Sequence, residues 1–214
     1  MTLQTRLSLI AALMFLWLAM LLLGAGDADR SILMSLYAGD EPWLALAAIG
    51  LSYLGTWPTA VGVTLLGAGW LLYSGNRKGA LLLLIASFGG RLLVILEKAY
   101  FARLRPEEHL RLVEVHYESF PSGHAANSII VYVGLAMLAF TEEPGRRRAI
   151  AATLSLAFLI GLSRPMLGVH WPSDVIGGWS FGAAWLLAVL GLGKRIGAPA
   201  NAHTLKRNSS TSPS

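Results

Sequence analysis

The chain consists of long apolar blocks separated by short polar segments. The blocks 7–26, 42–76 and 175–193 contain no Asp, Glu, Lys or Arg. A helix at the surface of a soluble protein would show a polar stripe at every turn. The strands of an outer-membrane barrel would alternate apolar and polar residues, and these blocks do not. The pattern therefore predicts an integral membrane protein built from α-helices.

Six segments approach the length of about 20 apolar residues that a transmembrane helix needs. The expected spans are about 7–25, 54–74, 79–97, 123–140, 149–163 and 175–193. The stretch 31–53 is ambiguous, because Gly55-Thr56-Trp57-Pro58 interrupts the apolar run that begins there. We expect a short interfacial helix near 31–53, with Trp43 and Trp57 at the level of the lipid headgroups. The predicted fold class is an all-α integral membrane bundle of six transmembrane helices with this interfacial helix.

The composition agrees with a membrane protein. Hydrophobic residues make up 55% of the chain and charged residues 14%, whereas soluble domains carry about 25% charged residues. The chain has no cysteine, which excludes disulfides and thiolate metal sites. We expect one membrane domain over 1–195 and a disordered cytoplasmic tail over 196–214, because the final stretch is polar and rich in Ser, Asn and Pro.

The charged residues divide unevenly between the two sides of the predicted bundle. With both termini inside, ten of the 17 Lys and Arg residues lie on inner segments, six lie on outer segments and Arg91 lies within the third span. This excess of inner cations supports cytoplasmic termini. The net charge of +5 therefore reflects membrane topology, and no nucleic-acid partner is expected. The expected location is a bacterial inner membrane, with the outer segments facing the periplasm or exterior.

Three segments on the predicted outer side carry polar residues that membrane insertion does not require. They lie at 98–106, 120–124 and 163–174. Lys98, Arg105 and Arg164 supply three cations for a phosphate, and an arginine can hold two phosphate oxygens at once. Because all three segments emerge on one side, they can converge on a single site.

The sequence Pro-Ser-Gly-His at 121–124 has the features of a helix start. Ser122 is a favourable N-cap residue, and Gly123 allows a ligand to approach the backbone closely. The free N–H groups and positive dipole end of a helix start bind anions. This segment is therefore a candidate part of a phosphate site.

Two histidines complete the candidate chemistry. His170 and Asp174 are four residues apart, so the carboxylate can hold one imidazole nitrogen as N–H. The other nitrogen is then free to attack phosphorus. His124 is the candidate general acid that protonates the leaving oxygen.

The same residues form three motifs: Lys-x6-Arg-Pro at 98–106, Pro-Ser-Gly-His at 121–124 and Ser-Arg-x5-His-x3-Asp at 163–174. In this order and spacing, the chain resembles the type 2 phosphatidic acid phosphatase superfamily. Within that family it is similar to small bacterial membrane members of the phosphatidylglycerophosphatase B and undecaprenyl-diphosphate phosphatase type. The helical layout extends the resemblance over about 1–195.

The resemblance implies a role for each motif residue. It implies that His170 forms a phosphohistidine, that Asp174 orients His170, and that His124 acts first as an acid and then as the base that activates water. It also implies that phosphate is bound without a metal or cofactor. The implied phosphate-binding residues are Lys98, Arg105, Ser122, Gly123 and Arg164.

The expected function is hydrolysis of a lipid phosphate or diphosphate, with the lipid tail in the bilayer and the headgroup at the site on the outer side. Undecaprenyl diphosphate, phosphatidylglycerophosphate and phosphatidic acid all carry the reactive group. Two alternatives remain: a lipid phosphotransferase and a non-catalytic phospholipid carrier. A carrier would not need His170, Asp174 and His124 together, so the sequence favours an enzyme.

Two further features have no assigned role. Arg91 lies inside the third span, seven residues before Lys98, and fits a site residue and a paired or snorkelling arginine equally well. The loop 107–118 holds His109 and His116 among four glutamates. Their spacing matches no specific metal-ligand pattern, so we expect a solvated loop at the site entrance.

Overall fold

The computed structural model describes residues 1–196, which form eight α-helices and one short 3-10 helix (Glu108–Leu110). The helices are α1 (Leu3–Leu23), α2 (Asp27–Leu36), α3 (Pro42–Leu54), α4 (Trp57–Tyr73), α5 (Arg77–Phe101), α6 (Gly123–Ala139), α7 (Gly145–Met166) and α8 (Pro172–Ile196). A π-helical stretch, Ile129–Val133, interrupts α6. The described residues contain no strand, as the all-α prediction requires. Apart from Ile196, the tail expected over 196–214 lies outside the described residues.

Several of the helices can cross a membrane. By length and composition, α1, α5, α7 and α8 can each span one alone, and α3 and α4 qualify as a pair bent by 45°. The 17 residues of α6 rise about 26 Å at 1.5 Å per residue, slightly less than the roughly 30 Å hydrocarbon core. The chain is thus a multi-pass membrane protein with four or five spans by this criterion, fewer than the six predicted.

The region near 31–53 differs from the sequence prediction of one short interfacial helix. It contains the end of α2 and most of α3, which are separated by residues 37–41. Pro42 is favourable in the first turn of a helix and begins α3. The interruption at Gly55-Thr56-Trp57-Pro58 bends the path without ending it, because Pro58 in turn lies in the first turn of α4. The apolar run is therefore continuous through the bend, which the hydropathy pattern does not reveal.

The N-terminal helix α1 lies on the outside of the bundle. None of its residues is buried, and Phe15, Leu22 and Leu23 are each more than 70% exposed. An apolar surface of this size is unfavourable in water but suits a lipid environment. α1 packs along α8, which also contacts α5 and α6, so α8 lies in the interior.

Close packing holds the start of α6 against α8. A Cβ atom at Gly178 would lie 2.5 Å from the carbonyl oxygen of Ser122, and one at Gly182 would lie 2.8 Å from that of Ala126. Only glycine permits backbones to approach this closely. The second and third motifs are thereby brought together at one end of the bundle.

Candidate active site

The three motifs surround one cavity of about 760 Å³. Six of the eight predicted site residues line it: Lys98, Arg105, Gly123, His124, Arg164 and His170. The other two, Ser122 and Asp174, are fully buried and contact each other through the Ser122 N–H, which donates to the Asp174 carbonyl oxygen at 2.9 Å. The folded chain therefore assembles all eight residues at a single site.

The His170 imidazole lies between a carboxylate and a guanidinium. Its Nδ1 is 3.3 Å from Oδ2 of Asp174, and its Nε2 is 3.2 Å from Nη1 of Arg105. Both contacts are satisfied by the tautomer in which Nδ1–H donates to Asp174 and Nε2 accepts from Arg105. His170 lies two residues before the start of α8, and Asp174 lies in the first turn of that helix. The Nε2 lone pair is thus directed away from the carboxylate.

The surroundings favour a neutral His170. The pKa of His170 lies well below 6.5, first because the ring is buried and then because three cations are close, Arg105 foremost. The pKa of Arg105 is itself lowered to about 10, chiefly by burial, so Arg105 remains charged at neutral pH. A neutral imidazole is the nucleophilic form of histidine.

Asp174 is surrounded by hydrogen-bond donors. Its Oδ2 accepts from the Ser119 hydroxyl and, at 2.9 Å, from the backbone N–H of Trp171. Its Oδ1 accepts from Nη1 of Arg103 at 2.9 Å in a buried ion pair. These bonds fix the carboxylate and, through it, the orientation of the His170 ring.

Arg103 also connects Asp174 to the end of α1. Its Nη2 donates to the carbonyl oxygens of Met20, at 2.9 Å, and Leu21. Carbonyls in the last turn of a helix have no partner within the helix, and a cation there is stabilising. The guanidinium also lies over the Phe120 ring, 4.3 Å from its centroid. The C-terminal end of α1 is therefore part of the support for the site.

A second buried carboxylate holds the start of α8. Asp29 of α2 accepts from the backbone N–H of Ser173 at 2.9 Å and from the Ser173 hydroxyl. It also accepts from the Ala25 N–H at 2.7 Å. A carboxylate at the free N–H groups of a helix start stabilises that start. Asp29 thereby fixes the turn that carries Asp174.

Lys98 and Arg105 both bind the backbone of the segment 117–119. Each donates to two of its carbonyl oxygens. These partners are neutral, and no Asp or Glu of residues 1–196 lies within ion-pair distance of either cation. Neither side chain is therefore ion-paired at the cavity, and both remain available to an anion.

Arg164 is only partly paired although it is 4% exposed. One of its terminal nitrogens donates to the Ser52 hydroxyl of α3, while its Nε is buried without a hydrogen-bond partner. The Ser122 hydroxyl is also buried without a partner. Buried polar atoms without partners are rare and costly. Both lie in motif residues, and Arg164 lines the cavity in which an anion can bind.

The start of α6 is open towards the cavity. Ser122 occupies the N-cap position, but its hydroxyl makes no capping hydrogen bond. A Cβ atom at Gly123 would approach no protein atom more closely than 3.8 Å, so packing does not require glycine there. The missing side chain leaves room for a ligand beside the first N–H groups of the helix.

His124 packs against the bend between α3 and α4. A Cβ atom at Gly55 would lie 2.9 Å from the His124 ring and 2.5 Å from Ile160, so glycine lets the bend pass directly beside the histidine. His124 and His170 line the same cavity from different elements. Both rings are therefore accessible from one cavity.

The loop 107–118 forms one wall of the cavity through residues 113–118. It is anchored by an ion pair between Glu107 and Arg30 and by the Leu112 N–H, which donates to the Leu167 carbonyl oxygen at 3.0 Å. In the described part of the chain, no three His, Asp or Glu side chains converge as a metal-ligand group. The loop therefore contributes to the shape of the site.

Four supporting residues lie outside the predicted set: Asp29, Ser52, Arg103 and Ser119. Arg103 has a sequence signal, because it is an additional cation inside the first motif. Asp29 and Ser52 are 144 and 112 residues from their partners, and nothing in the sequence pairs them. The contacts that Asp29 and Ser52 make with the site can be identified only from the folded structure.

Comparisons with known proteins show the family of this chain. A family model described as the PAP2 superfamily matches residues 77–197. Phosphatidylglycerophosphatase B of Bacillus subtilis is 34% identical over 177 residues, covering 79% of this chain and 85% of the relative. Lipid A 1-phosphatase of Rhizobium johnstonii is 33% identical over 154 residues, covering 68% and 59%. The crystal structure of a transmembrane PAP2-type phosphatidylglycerolphosphate phosphatase from Bacillus subtilis matches with a TM-score of 0.76 and 30% identity, over 89% of this chain and 96% of that one.

Proposed function

Because this chain belongs to the PAP2 superfamily, we propose that it hydrolyses a lipid phosphate or diphosphate. Its relatives are phosphatases of lipid phosphates. The proposed reaction passes through a phosphohistidine intermediate and requires no metal. The observation that carries the proposal is the incomplete pairing of Arg164 and Ser122. Arg164 lines the cavity, and Ser122 directly precedes Gly123, which also lines it. The same cavity holds cations without ion-pair partners and a buried neutral imidazole. A bound phosphate would complete their hydrogen bonds.

In the first step, Nε2 of His170 attacks phosphorus and the bond from phosphorus to the lipid oxygen breaks. Asp174 stabilises the positive charge that develops on the imidazole. The negative charge on the phosphoryl oxygens is stabilised by the three cations and by the N–H groups at the start of α6. His124, protonated at the start of the cycle, donates its proton to the departing oxygen, so the lipid leaves as an alcohol or, from a diphosphate, as a monophosphate.

In the second step, His124 accepts a proton from water, and the resulting oxygen nucleophile attacks the phosphohistidine. The bond between phosphorus and Nε2 breaks, His170 is regenerated and phosphate leaves. The three cations Lys98, Arg105 and Arg164 supply the charge stabilisation that a metal supplies elsewhere. A carrier would need these cations alone, whereas the proposed chemistry also needs both histidines and Asp174.

The proposed topology has six spans, with α3 and α4 as one bent span and α6 as the sixth. The length of α6 is at the lower limit of the range for transmembrane helices. The site lies at one end of the bundle, while Arg77, Lys78 and the run 146–148 lie at the other. Cations concentrate on cytoplasmic loops. The site would therefore face the periplasm or exterior of a bacterial inner membrane, with a domain over 1–195 and a cytoplasmic tail over 196–214.

Phosphatidylglycerophosphate, undecaprenyl diphosphate and phosphatidic acid are the candidate substrates. The cavity extends from His170 along α5, past Val94 to Arg91 and Trp57. A lipid tail can therefore stay among the helices while the terminal phosphate reaches His170. A phosphotransferase would use the same first step and deliver the phosphoryl group to a lipid acceptor in place of water.

Phosphate release by the purified protein from these three lipids tests the proposal. We expect release from at least one of them, with the same rate in EDTA and no release by the His170→Ala variant. Loss of activity in EDTA would contradict the metal-free mechanism. No release from any lipid would favour the carrier, and transfer to an added lipid acceptor in place of release would favour the phosphotransferase.

A further inference from the structure

Arg91 lines the same cavity as His170 but lies further along α5. It precedes Lys98 by seven residues, which is two helical turns on the same face and about 10 Å at 1.5 Å per residue. Arg91 is half-buried, and no acidic side chain of residues 1–196 pairs with it. An unpaired charge inside a membrane helix is costly and is typical of a functional position.

Trp57 holds the Arg91 side chain without neutralising it. The guanidinium lies over the indole ring, 3.8 Å from its centroid, and both residues line the cavity together with Asn127 of α6. A guanidinium stacked on an aromatic ring can still donate hydrogen bonds from its N–H groups. The cavity therefore contains a positioned cation and an amide side chain, with the cation two helical turns from Lys98.

We propose that Arg91 and Trp57 form a second anion subsite, which binds an internal phosphate that the lipid carries between its terminal phosphate and its tails. The inference rests on the proposed function, since it requires the terminal phosphate at His170 and the tails among the helices. In that orientation, the group next along the lipid lies at the level of Arg91. The subsite thus selects lipids with two separated phosphates.

This separation distinguishes the three candidate substrates. In a diphosphate the two phosphorus atoms share one oxygen, so the second phosphate would remain beside Lys98. Phosphatidic acid has one phosphate, and only uncharged esters would reach Arg91. Phosphatidylglycerophosphate carries a phosphodiester one glycerol away from its terminal phosphate, on the side of the tails and therefore towards Arg91. A phospholipid with a terminal phosphomonoester and an internal phosphodiester fits both sites.

The Arg91→Gln variant tests the subsite, because it removes the charge and keeps a polar side chain. We expect kcat/KM for phosphatidylglycerophosphate to fall about 10- to 100-fold, as for loss of a charged hydrogen bond. The fall should appear mainly in KM, because the internal phosphodiester does not react. For phosphatidic acid we expect a fall of less than about threefold, and Arg91→Lys should give intermediate values.

The matched control is Arg77→Gln, which removes an exposed arginine at the opposite end of α5. It should leave kcat/KM for both lipids as in the wild type. Equal losses for the two lipids in Arg91→Gln, or a lowered unfolding temperature that accounts for both, would overturn the subsite in favour of a structural arginine. Absence of phosphate release by the wild type from phosphatidylglycerophosphate, phosphatidic acid and undecaprenyl diphosphate alike would instead refute the proposed function. Release from undecaprenyl diphosphate alone would overturn only the subsite, so the two failures are distinguishable.

Product inhibition gives a second readout that does not depend on the stability of a variant. Phosphatidylglycerol, the product of phosphatidylglycerophosphate, retains the phosphodiester, whereas diacylglycerol, the product of phosphatidic acid, has none. The subsite predicts that phosphatidylglycerol inhibits the wild type competitively. Its inhibition constant should be lower than that of diacylglycerol by about tenfold or more, as for one charged hydrogen bond. Equal inhibition by the two products would overturn it.

Discussion

The two sides of the His170 imidazole differ in how their charges are balanced. On the Nδ1 side, Asp174 pairs with Arg103 and accepts further hydrogen bonds, so the buried charges are matched. On the Nε2 side, three cations have only neutral partners, and Arg164 and Ser122 keep unpaired atoms. The matched side orients the ring, while the unmatched side lacks an anion. The difference indicates where a substrate phosphate binds.

Residues on the two sides of the imidazole should also differ in what they contribute to stability and to activity. Removal of one partner from the matched side leaves a buried charge uncompensated, which is strongly destabilising. Removal of a cation from the unmatched side relieves repulsion between like charges and should cost little stability. Variants on the two sides should therefore both lose activity but differ in their unfolding temperatures.

The largest effect is expected for His170→Ala, which removes the group common to both sides. Loss of a covalent nucleophile lowers kcat by about 10⁴-fold or more. Phosphate release by the purified variant measures this, with unfolding temperature and monodispersity showing that it is folded. A residual rate within tenfold of the wild type would contradict the assignment.

On the unmatched side, Arg164→Met should lower kcat/KM by about 10²- to 10³-fold, as for loss of a preorganised charged donor at a transition state. Its unfolding temperature should equal or exceed that of the wild type, because a buried, partly unpaired cation is removed. The conservative partner variant Ser52→Ala should reduce activity less. A strong loss of stability in Arg164→Met would show that the arginine is structural.

On the matched side, Arg103→Met should lower kcat by about 10- to 100-fold, the usual effect of removing a residue that helps to orient a reacting side chain. It should also lower the unfolding temperature, because Asp174 loses its cation and α1 loses its C-terminal donor. KM should change little, since Arg103 is expected not to touch substrate. Arg103→Lys should recover part of kcat; recovery of stability without kcat would indicate a role in folding alone.

The smallest effect is a shift in the titration of His170. Because its pKa is lowered well below 6.5 by burial and nearby cations, His170 should remain neutral as the pH falls through 6.5 and become protonated only at lower pH. Lys98→Met removes one of these cations and should raise this pKa. NMR of ¹⁵N-labelled histidine, assigned with His170→Ala, measures both values. A pKa of 6.5 or higher in the wild type would contradict the described environment.

The apolar blocks predict the helical class and several helix positions closely. The predicted span 79–97 lies within α5, whose start is marked by Asn76, which accepts a hydrogen bond from the Gly79 N–H at 2.8 Å. The region of α2 and α3 is less predictable, because both a helix end and a helix bend interrupt an apolar run. Hydropathy cannot separate these cases, since they differ in backbone direction.

The site residues, like the helices, are only partly predictable from the sequence. The motif residues can be found because they are polar or charged groups beside apolar spans, within 77 residues of one another. Arg103 and Asp29 act on Asp174 or on its helix through contacts between distant segments. Such contacts depend on how α1 and α2 pack against α8, which the local sequence does not specify.

The central claim is that Nε2 of His170 receives the phosphoryl group. It can be tested with a lipid substrate labelled with ³²P in its terminal phosphate, stopped during turnover in alkaline detergent, which preserves phosphohistidine. We expect label on the peptide that contains His170, lost on acid treatment, and no label in His170→Ala. His124→Ala lacks both the acid of the first step and the base of the second, so its label should form more slowly than in the wild type and persist longer once formed. Two results would contradict this mechanism: turnover by the wild type with no labelled enzyme in either the wild type or His124→Ala, and label on a residue other than His170.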